Sequence, residues 1–332
     1  MKNALVKGAL SLHKLCQFNK NPSNSSRYLI FSTTGVGDTL WGTPAIRAIK
    51  KHNPNAHLSV LTSPMGKQLL LHNPYIDQLI TIKEPNLRKK IQLIKADVSL
   101  IFHISQRVMM PLSYLSNATH IIGSAGINKD LDSILTQCVE QNQEHEIARR
   151  LRLIEKIGIP PSGSEMEIFL TEDEQKKVAK FPRPILAIHP GAKDRFKQYP
   201  PHLFAKAARN FQGTILITGG KEEVALCEQV AKELPGSVSL AGKLSLRALT
   251  ALIGSIDLFL TNDTGPMHIA FAMKTKTIAL FGPTDPSLCG PYEYENATIL
   301  RAPLTCTPCL RKKCQEPFCM RQIKPSKIAE AF

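Results

Sequence analysis

The sequence has few aromatic residues, few acidic residues and no long apolar run. Phe, Trp and Tyr make up 6% of the chain, with a single Trp, so few rings are available for stacking the bases of single-stranded nucleic acid. No segment reaches the roughly 18 uninterrupted apolar residues of a membrane span. The sequence also lacks internal repeats, low-complexity tracts, a Walker loop and zinc-finger spacings of Cys and His. The sequence therefore has few of the aromatic residues and none of the zinc-finger motifs that are typical of many nucleic-acid binding proteins.

Chain length and positive charge are the most informative global features. A chain of 332 residues with 43% apolar residues is long for one core and suits two α/β domains. Lys and Arg number 42 against 27 Asp and Glu, which gives a formal net charge of +15. This excess predicts an anionic partner, which could be nucleic acid, an acidic glycolipid or an anionic membrane surface.

Residues 1–27 form a basic N-terminal extension. They contain five Lys and Arg residues, no acidic residue and leucines at loosely helical spacing. Lys7, His13 and Lys14 interrupt the apolar positions, which makes a secretory signal a poor interpretation. Two interpretations remain open: a basic amphipathic helix on an anionic membrane, or a frayed extension before the first domain.

The stretch Asp257–Pro286 predicts a strand–turn–helix–strand unit. Leu258–Leu260 and Thr277–Phe281 are short apolar runs that suit buried strands, and Met267–Met273 suits a short helix. The polar turn Thr261–Pro266 precedes that helix. In a βαβ unit such a turn lies at the carboxyl end of a strand, where ligands bind.

The turn has the residues of an anion site. Amides at a helix N-terminus attract phosphate, and Gly265 permits close approach to the backbone. A carboxylate at Asp263 would repel phosphate, so it suits an acceptor of hydrogen bonds from sugar hydroxyls. The alternative is a capped helix without a ligand, with Asp263 or Thr264 as N-cap and Pro266 at the first helical position.

A second strand–turn–helix unit opens the first domain. Tyr28–Phe31 predicts a strand, and a helix is expected from about Leu40 to Lys51. The loop between them would let a ligand approach, although the residue three after its second glycine is Leu40, so a full dinucleotide fingerprint is missing. The residues of this loop that we expect on the acceptor side are Gly35, Gly37 and Thr39.

Asp38 lies in that loop and would face the crevice of a doubly wound sheet. On residue type alone, a helix cap is the simpler interpretation.

Two motifs resemble a known family. Asn262–His268 followed by Phe281–Pro286 resembles the nucleotide-sugar signature of the family 9 glycosyltransferases, the ADP-heptose:lipopolysaccharide heptosyltransferases. Gly37-Asp38 followed by Thr43–Ala48 resembles the N-terminal motif of the same family. His189–Ala192 followed by Lys197–Pro200 resembles a third segment, in which Tyr199 replaces the usual Trp.

The resemblance implies a GT-B fold, with two Rossmann-like domains facing across a cleft. We expect an acceptor-binding domain at 28–175, a nucleotide-sugar domain at 180–305 and a cysteine-rich basic tail at 306–332. The implied reaction is inverting transfer of heptose from ADP-L-glycero-D-manno-heptose to the inner core of lipopolysaccharide, without an essential metal. Asp38 would be the general base, which favours this role over the cap, and Lys197 would neutralise charge on the departing diphosphate.

The resemblance and the turn chemistry together predict a donor site in the second domain. Gly219 and Glu222 follow the predicted strand Thr214–Thr218, where a glycine allows the nucleotide to approach and a carboxylate could accept from ribose hydroxyls. The other donor-site residues come from the turn and the helix after it: Asp263, Thr264, Gly265, Pro266, Met267 and His268.

Four of the eight cysteines form a cluster near the C-terminus, with basic residues between them. Cys306, Cys309, Cys314 and Cys319 could supply a tetrahedral site for structural zinc or iron. Disulfides and reduced thiols are the alternatives. The scattered cysteines, Cys227 among them, are expected to pack as small hydrophobic residues.

The expected partners are the ADP-heptose donor, the anionic lipopolysaccharide core and an anionic membrane; no nucleic acid is expected. The expected location is the cytoplasm, peripheral on the inner face of the inner membrane. Two alternatives remain. One is a family 9 transferase with another donor sugar or a protein acceptor, and the other is a non-catalytic nucleotide-sugar or nucleic-acid binding protein.

Overall fold

A computed structural model describes residues 22–102, 109–178, 180–302, 314 and 318–332. The chain divides into two compact units, Met1–Met166 and Glu167–Phe332. Most of residues 1–27 therefore lie outside the described part. No helix among the described residues is long and apolar enough to cross a membrane.

The first unit is built on a six-stranded parallel sheet with the order β3-β2-β1-β4-β5-β6. Its strands are β1 (Arg27–Ser32), β2 (His57–Thr62), β3 (Gln78–Thr81), β4 (Val98–Ile101), β5 (His120–Ser124) and β6 (Gln137–Val139). Its helices are α1 (Val36–Leu40), α2 (Thr43–His52), α3 (Pro64–Leu70), α4 (Leu87–Ile94), α5 (Met109–Leu115) and α6 (Glu146–Glu155).

The second unit repeats this topology, with the strand order β12-β11-β10-β7-β8-β9 and all pairs parallel. Its strands are β7 (Ile185–His189), β8 (Thr214–Ile217), β9 (Val238–Ser239), β10 (Leu258–Asn262), β11 (Thr277–Phe281) and β12 (Ala297–Arg301). Its helices are α7 (Glu172–Lys176), α8 (Pro201–Ala208), α9 (Val224–Lys232), α10 (Leu246–Ile253), α11 (Gly265–Ala272), α12 (Pro286–Cys289), α13 (Phe318–Arg321) and α14 (Pro325–Ala329).

The central strands consist mostly of apolar residues because a parallel sheet is covered on both faces. Residues 28–32 of β1 are all buried, as are all residues of β7, β10 and β11. This explains why these strands read as continuous apolar runs rather than as alternating patterns. In each sheet the chain first adds strands on one side of the first strand and then continues on its other side. This switch in strand order lies between β1 and β4 in the first sheet and between β7 and β10 in the second. Ligands of such folds bind at the carboxyl ends of the strands at this point.

A buried arginine in each unit holds the segment that connects them. Arg47 on α2 donates to the carbonyls of Ser162 and Glu165 at 3.2 and 2.9 Å. Arg247 on α10 donates to Glu174 at 2.7 Å and to the Phe169 carbonyl at 2.7 Å. Both arginine side chains are therefore used to fix chain segments rather than to bind ligands.

The C-terminal residues 318–332 belong to the core of the second unit. Met320, Ile323 and Ile328 are buried in the same cluster as Leu260 and Leu280 of the central strands. The end of the segment that we had treated as a basic tail is thus part of the domain itself.

Candidate active site

The sites that the sequence predicts fall at the carboxyl edges of the two sheets. In the second unit, four loops follow β7, β8, β10 and β11 at this edge. They carry the residues that we expected to bind the donor.

Lys197, Asp263 and Thr284 come together from three of these loops. The Lys197 Nζ atom lies 2.6 Å from Oδ2 of Asp263. Thr284 Oγ1 donates to the same oxygen at 2.5 Å. The Asp263 side chain is only 6% exposed and that of Lys197 19%, so the ion pair is largely shielded from water and from salt. The cluster places one cation and one carboxylate side by side at the predicted diphosphate site.

Asn262 and Tyr199 fix the loop that carries Lys197. The buried Asn262 side chain accepts from the Tyr199 amide at 3.1 Å and donates to the Pro190 carbonyl at 2.8 Å. The Tyr199 hydroxyl donates to the Ile323 carbonyl at 2.7 Å, and burial raises the pKa of this phenol. Tyr199 therefore anchors the loop to the domain core, and an aromatic residue is needed there for packing.

Helix α11 begins directly after Asp263. Thr264 is its N-cap residue, but no side-chain capping bond forms there, and Pro266 is the second helical residue. Thr264, Gly265 and Pro266 are partly exposed, whereas Met267 and His268 are buried. Its partly exposed N-terminus suits an anion.

The positions of Met267 and His268 limit what they can contact. The Met267 amide is already used in a turn to the Thr264 carbonyl at 3.1 Å. The His268 ring packs edge-on against Phe271, with 6.0 Å between ring centroids. In the structure the His268 ring packs against Phe271, and its predicted role in the donor site stays a prediction.

The loop after β8 is closed by Glu223 rather than by Glu222. Glu223 Oε2 accepts from the Gly220 amide at 2.7 Å and lies 3.7 Å from His189 Nε2. Burial lowers the pKa of His189, and the Glu223 carboxylate partly opposes this shift. Glu222 is exposed. The sequence showed two adjacent acidic residues at a helix start, and only the structure distinguishes them.

Gly219 is required for packing. A Cβ atom there would lie 2.5 Å from the Cys227 sulfur on α9, which is far inside van der Waals contact. Burial raises the pKa of the Cys227 thiol to about 12, so this cysteine packs as a small hydrophobic residue, as expected.

In the first unit, Asp38 lies on the short helix α1, which the sequence had led us to read as part of the loop. The chain turns at Trp41 and Gly42 before α2 begins, so the predicted helix from about Leu40 is interrupted there. Asp38 Oδ2 accepts from the amide of Gly35, the N-cap residue of α1, at 3.3 Å, so Asp38 takes part in capping α1 rather than the helix expected from Leu40. Its side chain is nevertheless 31% exposed and remains accessible to a substrate. Capping and proton transfer are therefore compatible roles.

The sequence analysis missed the cation beside Asp38. Arg150 Nη2 lies 3.2 Å from Asp38 Oδ1, and the Arg150 side chain is completely buried. Burial raises the pKa of the neighbouring Glu146, but Arg150 and Arg149 outweigh burial and the net pKa is lowered. The available signal was Arg150 at helical spacing from Ile147 and Ile154, on the apolar face of α6.

A sequence model described as "Glycosyltransferase family 9 (heptosyltransferase)" matches residues 114–319, more than half of the chain. The lipooligosaccharide heptosyltransferase 2 of Campylobacter jejuni subsp. jejuni serotype O:6 is 30% identical over 322 residues, which cover 92% of this chain and 97% of that protein. The chain belongs to glycosyltransferase family 9. The resemblance of the sequence motifs is thereby confirmed, and the protein is a glycosyltransferase by family.

Solved structures of family 9 enzymes share the fold. E. coli ADP-heptose lipopolysaccharide heptosyltransferase II aligns with a TM-score of 0.75 at 18% identity, over 92% of this chain and 97% of that one. The E. coli heptosyltransferase WaaC with ADP aligns with a TM-score of 0.72 at 15% identity, over 92% and 98%. Together with the two parallel sheets, they confirm the GT-B fold class predicted for this family 9 member.

The structure describes only two of the four cysteines of the predicted metal site. Cys306 and Cys309 lie outside the described residues, whereas Cys314 and Cys319 are half-buried. Within the ranges that the structure describes, no three His, Cys, Asp or Glu residues are grouped as metal ligands. A structural zinc or iron at the four cysteines stays a prediction.

Proposed function

We propose that this chain is an inverting glycosyltransferase that moves heptose from ADP-L-glycero-D-manno-heptose to the inner core of lipopolysaccharide. The observation that carries the proposal is the cluster of Lys197, Asp263 and Thr284 beside the N-terminus of α11. It combines a cation and a helix dipole for a diphosphate with a carboxylate for sugar hydroxyls. Its relatives are named as heptosyltransferases, and one solved neighbour is described with ADP.

In the proposed reaction, Asp38 accepts the proton of an acceptor hydroxyl. The oxygen of that hydroxyl attacks the anomeric carbon of the heptose from the side opposite the diphosphate. The bond from the anomeric carbon to the diphosphate oxygen breaks, and ADP leaves with the electron pair. One displacement inverts the configuration at the anomeric carbon.

Lys197 and the amides at the start of α11 stabilise the charge that develops on ADP. Because Lys197 is paired with Asp263, the diphosphate has to share or replace this contact. Thr284 still donates to Asp263 when that happens, so the carboxylate keeps a partner and can accept from heptose hydroxyls. The proposed base and the proposed groups that stabilise the leaving ADP all belong to this chain.

Charge supports a peripheral location for the enzyme. The net charge of +15 favours contact with an anionic leaflet and with the anionic core of the acceptor. We propose that the protein works in the cytoplasm, on the inner face of the inner membrane. Flotation with vesicles of anionic and of neutral lipids tests this location.

The first experiment is a calorimetric titration of the purified protein with ADP-heptose, ADP, UDP-sugars and NAD in parallel. Selective binding of the two ADP compounds supports the donor assignment. Preference for a UDP-sugar would retain the fold and reject heptose. If none of the four binds, the loop at Asp263 is a capped helix start and the protein is not this transferase.

A transfer assay with truncated lipopolysaccharide core then tests the reaction. The Asp38→Asn variant should bind ADP as the wild type does and lose about 10²–10⁴-fold in turnover. Full turnover by this variant would exclude Asp38 as the base.

A further inference from the structure

Asp38 is held by two donors from different parts of the first unit. Arg150 Nη2 donates to Oδ1 at 3.2 Å, and the Gly35 amide donates to Oδ2 at 3.3 Å. The first of these bonds joins two charged groups and is the stronger type, whereas the second is long and has a neutral donor. Arg150 therefore imposes the main restraint on the orientation of the carboxylate.

Arg150 is itself immobilised. Its Nη1 atom donates to the Glu146 carbonyl at 2.8 Å and to the Glu146 carboxylate at 2.5 Å. Its guanidinium lies over the Trp41 ring, with Cζ 5.3 Å from the ring centroid. A planar donor that is held on one edge and on one face presents its remaining nitrogen in a fixed direction.

Arg149 and Arg150 both pair with Glu146, and Arg150 also contacts Asp38. Arg149 Nη2 lies 2.7 Å from Glu146 and neutralises this carboxylate. Arg149 is directed elsewhere, towards the Phe102 carbonyl at 2.8 Å and the Ser124 hydroxyl at 3.0 Å. Burying a second arginine is costly, and its distinguishing contact is the one to the partly exposed Asp38.

We propose that Arg150 is a positioning residue that fixes Asp38 for proton transfer. The inference rests on the proposed function, in which Asp38 is the base. Arg150 holds Oδ1 with a charged donor, whereas Oδ2 accepts only the longer bond from the neutral Gly35 amide, so Oδ2 is the oxygen that receives the proton of the acceptor hydroxyl. Arg150 exchanges no proton, because its guanidinium stays charged. The bonds that form and break are those of the displacement described above.

The alternative is that Arg150 only fills the core beneath α1. Arg150→Met is suited to separate the two, because methionine fills a similar space and Glu146 keeps Arg149 as its partner. A purely structural role lowers stability without a specific link to Asp38. A positioning role acts through Asp38 and disappears when Asp38 is removed.

The test is a double-mutant cycle with Arg150→Met and Asp38→Asn, measured as kcat and as KM for ADP-heptose and for the lipopolysaccharide core. We expect Arg150→Met to lower kcat about 10–100-fold, with the KM for ADP-heptose unchanged. In the Asp38→Asn background it should lower kcat no further. Arg150→Lys should restore part of kcat, because it keeps the charge but loses the planar geometry.

Arg149→Met is the matched control, since Arg149 is also buried and also pairs with Glu146. Its effect on kcat should be the same in the wild-type background and in the Asp38→Asn background. Calorimetry with ADP and thermal unfolding are measured for every variant. If Arg150→Met does not fold, the same cycle is run with Arg150→Lys, whose smaller effect on kcat should also vanish with Asp38→Asn.

Two outcomes overturn the inference separately from the proposed function. If Asp38→Asn lowers kcat strongly and Arg150→Met lowers kcat by the same further factor in both backgrounds, Asp38 remains the base and Arg150 is structural. If Arg150→Met leaves kcat unchanged, Arg150 likewise has no positioning role. Full transfer activity in Asp38→Asn instead removes the base assignment, and the inference falls with it.

Discussion

The Nζ atom of Lys197 lies 2.6 Å from Oδ2 of Asp263, and this contact joins the loop after β7 to the loop after β10. The two residues are far apart in the sequence, and parallel strand order brings them to one edge of the sheet. In a donor complex the same ammonium would neutralise the diphosphate. The ion pair thus joins the proposed sugar-binding group to the proposed phosphate-binding group.

Replacing Lys197 with Met should weaken ADP binding about 10–100-fold, since the phosphate loses its cation and meets a nearly buried carboxylate instead. The measurement is calorimetric titration with ADP. Lys193→Met is the control, because Lys193 is exposed on the same loop. Equal losses in both variants would mean that only the general positive charge of the loop matters.

Replacing Thr284 with Val removes one of the two donors to Asp263 and retains the side-chain shape. We expect ADP-heptose to bind about fivefold more weakly, which corresponds to a hydrogen bond worth ~1 kcal/mol. Ser287→Ala removes an exposed hydroxyl that donates to Asp285, the N-cap residue of α12, and should leave affinity unchanged. An unaltered affinity in Thr284→Val would show that Asp263 is positioned by Lys197 alone.

Replacing Tyr199 with Phe should lower the free energy of unfolding by about 1–3 kcal/mol, because the buried Ile323 carbonyl loses its donor. ADP affinity should change little, as Asn262 still accepts from the backbone amide of residue 199. Thermal unfolding and calorimetry measure the two quantities. A loss of ADP affinity without a loss of stability would contradict a purely structural role for the hydroxyl.

Glu174 makes the stability of the second unit dependent on pH. The hydrogen bond from Arg247 lowers the pKa of Glu174 from 4.5 to about 2. A lowered pKa stabilises the fold above the unfolded value of about 4.5, and this contribution is lost as the pH falls from there towards 2. Glu174→Gln should therefore be less stable by about 1 kcal/mol at pH 7, with a difference that shrinks below pH 4.5.

Thermal unfolding between pH 7 and pH 3 checks this expectation. Glu172→Gln is the matched control, because Glu172 is 85% exposed in its pair with Lys176 and such pairs contribute little. A difference between Glu174→Gln and the wild type that stays constant with pH would show that the carboxylate charge is not the cause.

Elements with continuous apolar runs could be predicted from the sequence. β1, β10 and β11 were all anticipated, because burial on both faces leaves a simple pattern. The outer strands β6 and β12 were not predicted. They are half-exposed along much of their length, so their sequences resemble loops. The position of the candidate site at the carboxyl edges followed from the βαβ pattern alone.

The partners of the site residues could not be predicted. Their spacing in the sequence does not reveal that Lys197 and Thr284 both donate to Oδ2 of Asp263, because that contact depends on strand order. Arg150 was missed for a related reason, since charged residues are expected at the surface. The choice between Glu222 and Glu223 depends on a single residue of helix register, which sequence patterns do not resolve.

The packing of residues 318–332 into the core of the second unit has a consequence for synthesis of the protein. Domains generally fold as units during translation, beginning with the N-terminal one. The first unit is complete once Met166 has emerged from the ribosome. The second unit still lacks Met320, Ile323 and Ile328 at that point, so its core can be completed only when residues 318–332 have also emerged.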